Sequence, residues 1–272
     1  LLASILVALS PSGRGQYAKG FDKIAKKYGD YLKTQAKTYD DGIKGHKSAK
    51  QSANWTTLKE LLKVKNKYRS YIKRIGYSQK ATQYKEGKEK RHRELLMKYL
   101  VASLYTIAEA PRRNTYANMK IIKNKDYEDL SDADKESNNY LVVVSRNKKF
   151  FSFGDYKTKK SYGVKTFDAP KELNSVLNLW LNFNKWESGK TSFLLNSKRQ
   201  AMTTNGLTKF LYKVFEPTGK KLSSNMIRHI WASEKSGESS EAYEKIKKNA
   251  DAMGHSVKEH METYVKPDKK KE

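Results

Sequence analysis

Read from the N-terminus, apolar residues recur first at helical spacing, then at strand spacing, then at helical spacing again. Phe21, Ile24, Ala25 and Tyr28 share one face of a helix whose other face is lysine. A polar stretch around 41–53 separates it from a second amphipathic segment, Trp55 to Ile75. There Leu58, Leu61, Leu62 and Val64 alternate with Lys59, Lys63, Lys65, Lys67, Arg69 and Lys73, which predicts a basic outer face. Residues 76–91 are polar and charged, as an interdomain linker would be. The run Glu94 to Ile107 is apolar nearly all round and predicts a buried helix. Pro111 stops it and opens another helix, with Arg112 and Arg113 in the first turn and Met119, Ile121 and Ile122 turned inward.

After an acidic loop, Glu128 to Asp134, β-branched and aromatic residues take over. Tyr140–Val144, Phe150–Phe153 and Gly163–Phe167 predict three strands of a small antiparallel sheet, the last two joined by a basic tip, Tyr156–Tyr162. Past Pro170, the positions Leu173, Val176, Leu177, Trp180 and Leu181 restore the helical period. A short extended piece (Ser192–Asn196) and helices from Thr203 to Phe215 and from Asn225 to Ser233 follow. The fold class expected is mainly α with a small antiparallel β-sheet.

Charge sharpens this picture. The 272 residues hold 56 Lys+Arg against 29 Asp+Glu, a formal net charge of +27, so a polyanion is the expected partner. Zero cysteines exclude a disulfide scaffold and thiolate metal sites, and the five histidines lack a paired ligand pattern, so no metal is expected. No Gly-x-x-x-x-Gly-Lys loop is present, so no nucleotide cofactor is implied. Leu1 to Leu9 is apolar but far too short to span a bilayer, and no membrane association is expected. Residues 1–14, which lack an initiator Met, are taken as a tail or a truncated element.

The most specific stretch lies near the C-terminus. Met253-Gly254-His255 forms a small-residue turn carrying a histidine, and Ser256 with Glu259 makes a capping box that starts a helix at Val257. Tyr264 follows His255 by nine positions, near the end of that helix. A tyrosine so presented can attack a phosphate once nearby cations lower its pKa from about 10. Upstream stand Asn225-Met226-Ile227-Arg228-His229 and Pro111-Arg112-Arg113. Guanidiniums suit a phosphoryl transition state because each offers a planar fork of donors and stays charged.

Arginine, lysine, arginine, histidine and tyrosine in this order resemble the tyrosine recombinase (phage integrase) family over roughly residues 91–267. The family pattern is an arginine opening a helix, a lysine on a β-hairpin, His-x-x-Arg, a Leu-Gly-His-like turn and a tyrosine nine residues on. The resemblance implies catalytic roles for Arg113, Lys157, Asn225, Arg228, His255 and Tyr264, with Arg112 as the alternative first arginine and Lys159 and Lys160 as alternative lysines. Lys157, followed by Thr158, would protonate the departing 5′ oxygen. Asn225 stands where the family usually has histidine; it can hydrogen-bond but cannot shuttle a proton at neutral pH. His229 reads as structural, and His260 has no assigned role.

In family terms, residues 15–88 form a helical DNA-binding (core-binding) domain, 91–267 the catalytic domain and 268–272 a basic tail. The implied function is site-specific DNA recombination or integration by a viral or mobile-element enzyme. It would act on double-stranded DNA as a homo-tetramer on two sites, without cofactor, inside the cell where DNA is. Only Val265 to Glu272 follow the tyrosine, little for the C-terminal exchange common among relatives. A type IB topoisomerase or telomere resolvase would use the same residues. A catalytically decayed DNA-binding protein of the same fold is the rival from another class.

Overall fold

A computed structural model describes residues 26–35, 47–77, 87–108, 110–235, 245–250, 252–254 and 257. The chain divides into two compact units, Leu1–Ala53 and Asn54–Glu272. In the first, α1 (26–35) and the short α2 (Ala49–Ala53) are described; Phe21, Ile24 and Ala25 of the predicted first helix lie outside the described residues. α1 leaves Tyr28 and Tyr31 exposed.

The second unit is a mixed α+β fold around one helix. α4 (Glu89–Thr106) is apolar over most of its circumference, and Leu100, Val101, Ala102 and Leu104 are entirely buried. It packs against α3 (Leu58–Arg74), α8 (Lys171–Asn184) and α9 (Thr204–Val214). Leu61, Val64, Tyr68 and Ile72 of α3 belong to the same hydrophobic core as α4. The division therefore falls at Ala53/Asn54 and not in the polar run 76–91. Amphipathicity tells that α3 buries a face but not against what. One of the lysines expected on its outer face also turns inward. Lys65 is buried and pairs with Glu172 of α8 at 2.6 Å. Tyr68 donates to the Val214 carbonyl at 2.8 Å, tying α3 to the end of α9.

The sheet has four strands in the order β1 (Lys120–Lys123), β2 (Asn139–Val143), β3 (Lys149–Phe153) and β4 (Lys165–Asp168). β2, β3 and β4 are the three predicted strands, antiparallel as expected. β1 corrects the expectation of a helix after Pro111: it pairs in parallel with β2, with Ile121 opposite Leu141. Arg112 and Arg113 instead precede a single 3₁₀ turn, Asn114–Tyr116, and Asn118 at φ 58° breaks any helix there. Ile121 and Ile122 are both buried, as a strand covered on both faces requires, and this removed the period-2 signal. The acidic segment is likewise not a loop. It folds into α5 (Asn124–Glu128) and α6 (Asp132–Ser137), with Ser131 accepting from the Asp134 amide at the cap and acidic residues in the first turn. Among the described residues, no helix is long and apolar enough to cross a membrane.

The β2–β3 turn is knotted from within by Lys149, 1% exposed. Its ammonium donates to the carbonyls of Ser145 and Arg146 and to the side-chain oxygens of Asn174 and Asn178 on α8. Burial lowers its pKa from 10.5 to about 8, with Arg146 adding to the effect. Replacing Lys149 by Met leaves the side-chain oxygens of Asn174 and Asn178 without their ammonium donor and should cost about 2 kcal/mol in urea unfolding at pH 7. Because the unfolded lysine titrates at 10.5 and the folded one at about 8, the unfolded chain binds more protons between those values. Wild-type stability relative to Lys149→Met should accordingly rise with pH across that window.

Candidate functional site

Arg112, Arg113, Lys157 and Arg228 converge where the segment after α4 meets the β3–β4 hairpin and α10 (Ser224–Lys235). Tyr105, buried near the end of α4, donates to the Arg113 carbonyl at 3.0 Å and so pins the backbone between the two arginines and the 3₁₀ turn. Tyr116 in that turn stacks edge-on against Tyr105, Phe151 and Phe153, with ring centroids 5.8, 5.5 and 5.8 Å away. A continuous aromatic wall thus runs from the central helix to β3 and holds the arginine segment against it.

Gly154 ends β3, just before the tip. A Cβ there would overlap the Lys135 carbonyl oxygen and stand 2.8 Å from that of Asn138. The Gly154 amide donates to Asn138 at 3.1 Å, and Asn139 bonds the backbone of Asp155 on both sides, so the hairpin stem is locked to the end of α6 and the start of β2. Only glycine admits this approach. The basic tip itself contains a short helix, α7 (Lys159–Tyr162).

A cleft of about 350 Å³ opens between these parts. Arg112, Arg113, Lys157, Thr158 and Arg228 line it, with Thr115, Tyr156 and Trp231. Lys159 and Lys160 are exposed on α7 and do not line it, so placement separates Lys157 from its two neighbours. Arg228 is half-buried, and its pKa is lowered by burial, then by Arg113 and Arg112. Among the described residues none of the three arginines has a carboxylate partner within 4.0 Å. Three guanidiniums with no ion-pair partner among the described residues and an exposed lysine around one cleft are chemically suited to a tetrahedral oxyanion.

Asn225 is exposed, outside the lining, with its amide nitrogen 3.2 Å from Nε2 of His229, one turn along α10. His229, read from sequence as structural, is exposed rather than packed. His255, Tyr264, His260 and the capping pair Ser256 and Glu259 lie outside the described residues. The approach to them is described: Gly254 has φ +73° in the turn expected before His255, and Val257, the expected start of a helix, is helical. Trp231 was not singled out in the sequence. Its signal was present, since a residue three positions after Arg228 shares that face of a helix.

Comparison with family models, curated proteins and solved structures finds no match for this chain.

An oxyanion in the cleft would relieve the arginine repulsion. Inorganic phosphate at a hundredfold its Kd should raise the unfolding free energy by about 2.7 kcal/mol. Arg228→Met should keep phosphate-free stability within about 0.5 kcal/mol, or gain slightly from lost repulsion, and lose most of the phosphate effect in a thermal-shift titration. Gly154→Ala should destabilise by about 3 kcal/mol or more through backbone overlap and weaken phosphate binding by displacing Lys157.

Proposed function

We propose that this chain is a site-specific DNA recombinase or integrase of the tyrosine recombinase type, cleaving and rejoining strands through Tyr264. The observation that carries this reading is the convergence of Arg112, Arg113, Arg228 and Lys157 on one cleft, from three segments far apart in sequence. The net charge of +27 supports a duplex DNA substrate, and the nine-residue interval from His255 to Tyr264 supports the nucleophile.

In this mechanism the Tyr264 hydroxyl gives up its proton to solvent as its oxygen attacks the scissile phosphorus, forming a 3′-phosphotyrosyl bond as the bond to the 5′ oxygen breaks. The arginines hold the non-bridging oxygens as negative charge builds on them. Lys157 gives a proton to the departing 5′ oxygen. Attack of a 5′ hydroxyl on the phosphotyrosyl bond reverses the sequence and releases Tyr264, so the energy of the broken bond is retained without nucleotide hydrolysis. His255 adds a hydrogen bond to the phosphate. Asn225, exposed and engaged with His229, is not the base that takes the tyrosine proton. The acting assembly is a homo-tetramer on two duplex sites, within the cell where DNA lies.

The position of Asn225 also favours a second reading, a DNA-binding protein of the same fold that has lost catalysis. A type IB topoisomerase or telomere resolvase would share the intermediate and differ in product topology. Nicked suicide duplexes and supercoiled DNA, incubated without Mg²⁺ and resolved on denaturing gels, separate these. The expected result is a covalent protein–DNA species that vanishes in Tyr264→Phe and forms about a hundredfold or more slowly in Arg228→Gln. Salt-sensitive duplex binding with no adduct from any substrate would establish the second reading instead.

A further inference from the structure

Among the described residues, Arg112 is the one cleft arginine whose guanidinium rests on rings. It lies 4.5 Å from the ring centroid of Phe153, 5.1 Å from that of Phe167 and 5.6 Å from that of Tyr156. Phe153 belongs to β3, Phe167 to β4 and Tyr156 to the start of the tip that carries Lys157, so one side chain touches both strands of the hairpin and its end. A second cavity of about 210 Å³ is lined by Phe151, Phe153, Phe167, Asp168, Trp231 and Arg112 itself. Arg112 therefore lines both this cavity and the cleft.

A fork that must meet two phosphate oxygens has to be held in orientation before the anion arrives. A carboxylate could hold it but would cancel most of its field at the phosphate. An aromatic face orients a guanidinium through its negative quadrupole and leaves the net charge intact. Arg113, by contrast, is exposed, and Tyr105 holds only its backbone carbonyl.

We propose that Arg112 is a phosphate-contacting guanidinium aimed by an aromatic shelf, and that Phe153, Tyr156 and Phe167 are its positioning residues. The shelf couples the two halves of the site. Seating Arg112 on the hairpin rings sets the distance between the arginine segment and Lys157. Trimming a ring lets the guanidinium fall back towards the second cavity, where Asp168 would draw it from the cleft.

This rests on the cleft being an oxyanion site, and its test is a double-mutant cycle read by calorimetric titration of inorganic phosphate. Phe167→Leu removes a ring and no charge, and should weaken phosphate binding about fivefold. In the Arg112→Met background the same change should have no further effect, because the ring acts only through Arg112. Arg112→Lys, which keeps the charge and loses the planar fork, should bind almost as poorly as Arg112→Met. Should Phe167→Leu lower the melting temperature, Tyr156→Leu at the tip serves for the same cycle. Independent, additive losses, or wild-type affinity in Arg112→Lys, would overturn the shelf while leaving an oxyanion cleft. Absence of phosphate binding by the wild type would overturn it too, and the recombinase reading is judged separately by the Tyr264 adduct.

Discussion

Three like charges share one cleft, and no carboxylate among the described residues lies within 4.0 Å of them. This repulsion is the constraint that the second unit must satisfy. Left to themselves, flexible arginines would spread into solvent, where the dielectric and salt screen them. Here Arg228 is half-buried on a helix whose inner face, Met226, Ile227 and Ile230, is in the core. Arg113 hangs from a backbone pinned by Tyr105, and Arg112 lies across Phe153 and Phe167. The positive field is built by apolar and aromatic burial, which is indifferent to charge and so does not cancel it.

That burial begins with α4. A helix apolar nearly all round has to be surrounded, and α3, α8 and α9 surround it. Tyr105 and Tyr116 extend the same core to β3, which carries the chain to the cleft's second wall. Buried lysines reinforce the periphery. Lys65 joins α3 to α8, and Lys149 joins the β2–β3 turn to α8. In a chain so rich in lysine, these two serve as internal hydrogen-bond donors, and composition could not have distinguished them from their solvated neighbours.

Much of the fold was legible because its signals are local. The buried character of α4, the three antiparallel strands, α8, α9 and α10 follow from periodicity and from Pro and Gly punctuation. Departures arose where local and long-range preferences diverge. Ile121 and Ile122 look like the inward turn of a helix until the parallel partner β2 is known. The acidic run becomes helical because Ser131 and its neighbours cap short turns, a stabilisation invisible to a reading that equates charge with loop. The polar run 76–91 looked like a boundary, yet the helices on either side of it share one core.

The sequence by itself determined the chemistry on offer: the arginines, the hairpin lysine, the turn at Gly254 and the spacing to Tyr264, since motif intervals are properties of the chain alone. It also determined the Asn225 departure. Only the tertiary structure decided which basic residues share a cleft. It selected Lys157 over Lys159 and Lys160, set Asn225 apart against His229, brought in Trp231 and put Arg112 on its rings. The reason is that direction is a property of packing. Neighbouring lysines have the same charge and the same propensities, and only the local backbone course, fixed at the stem by Gly154 and Asn139, distinguishes the one that lines the cleft from the two that do not.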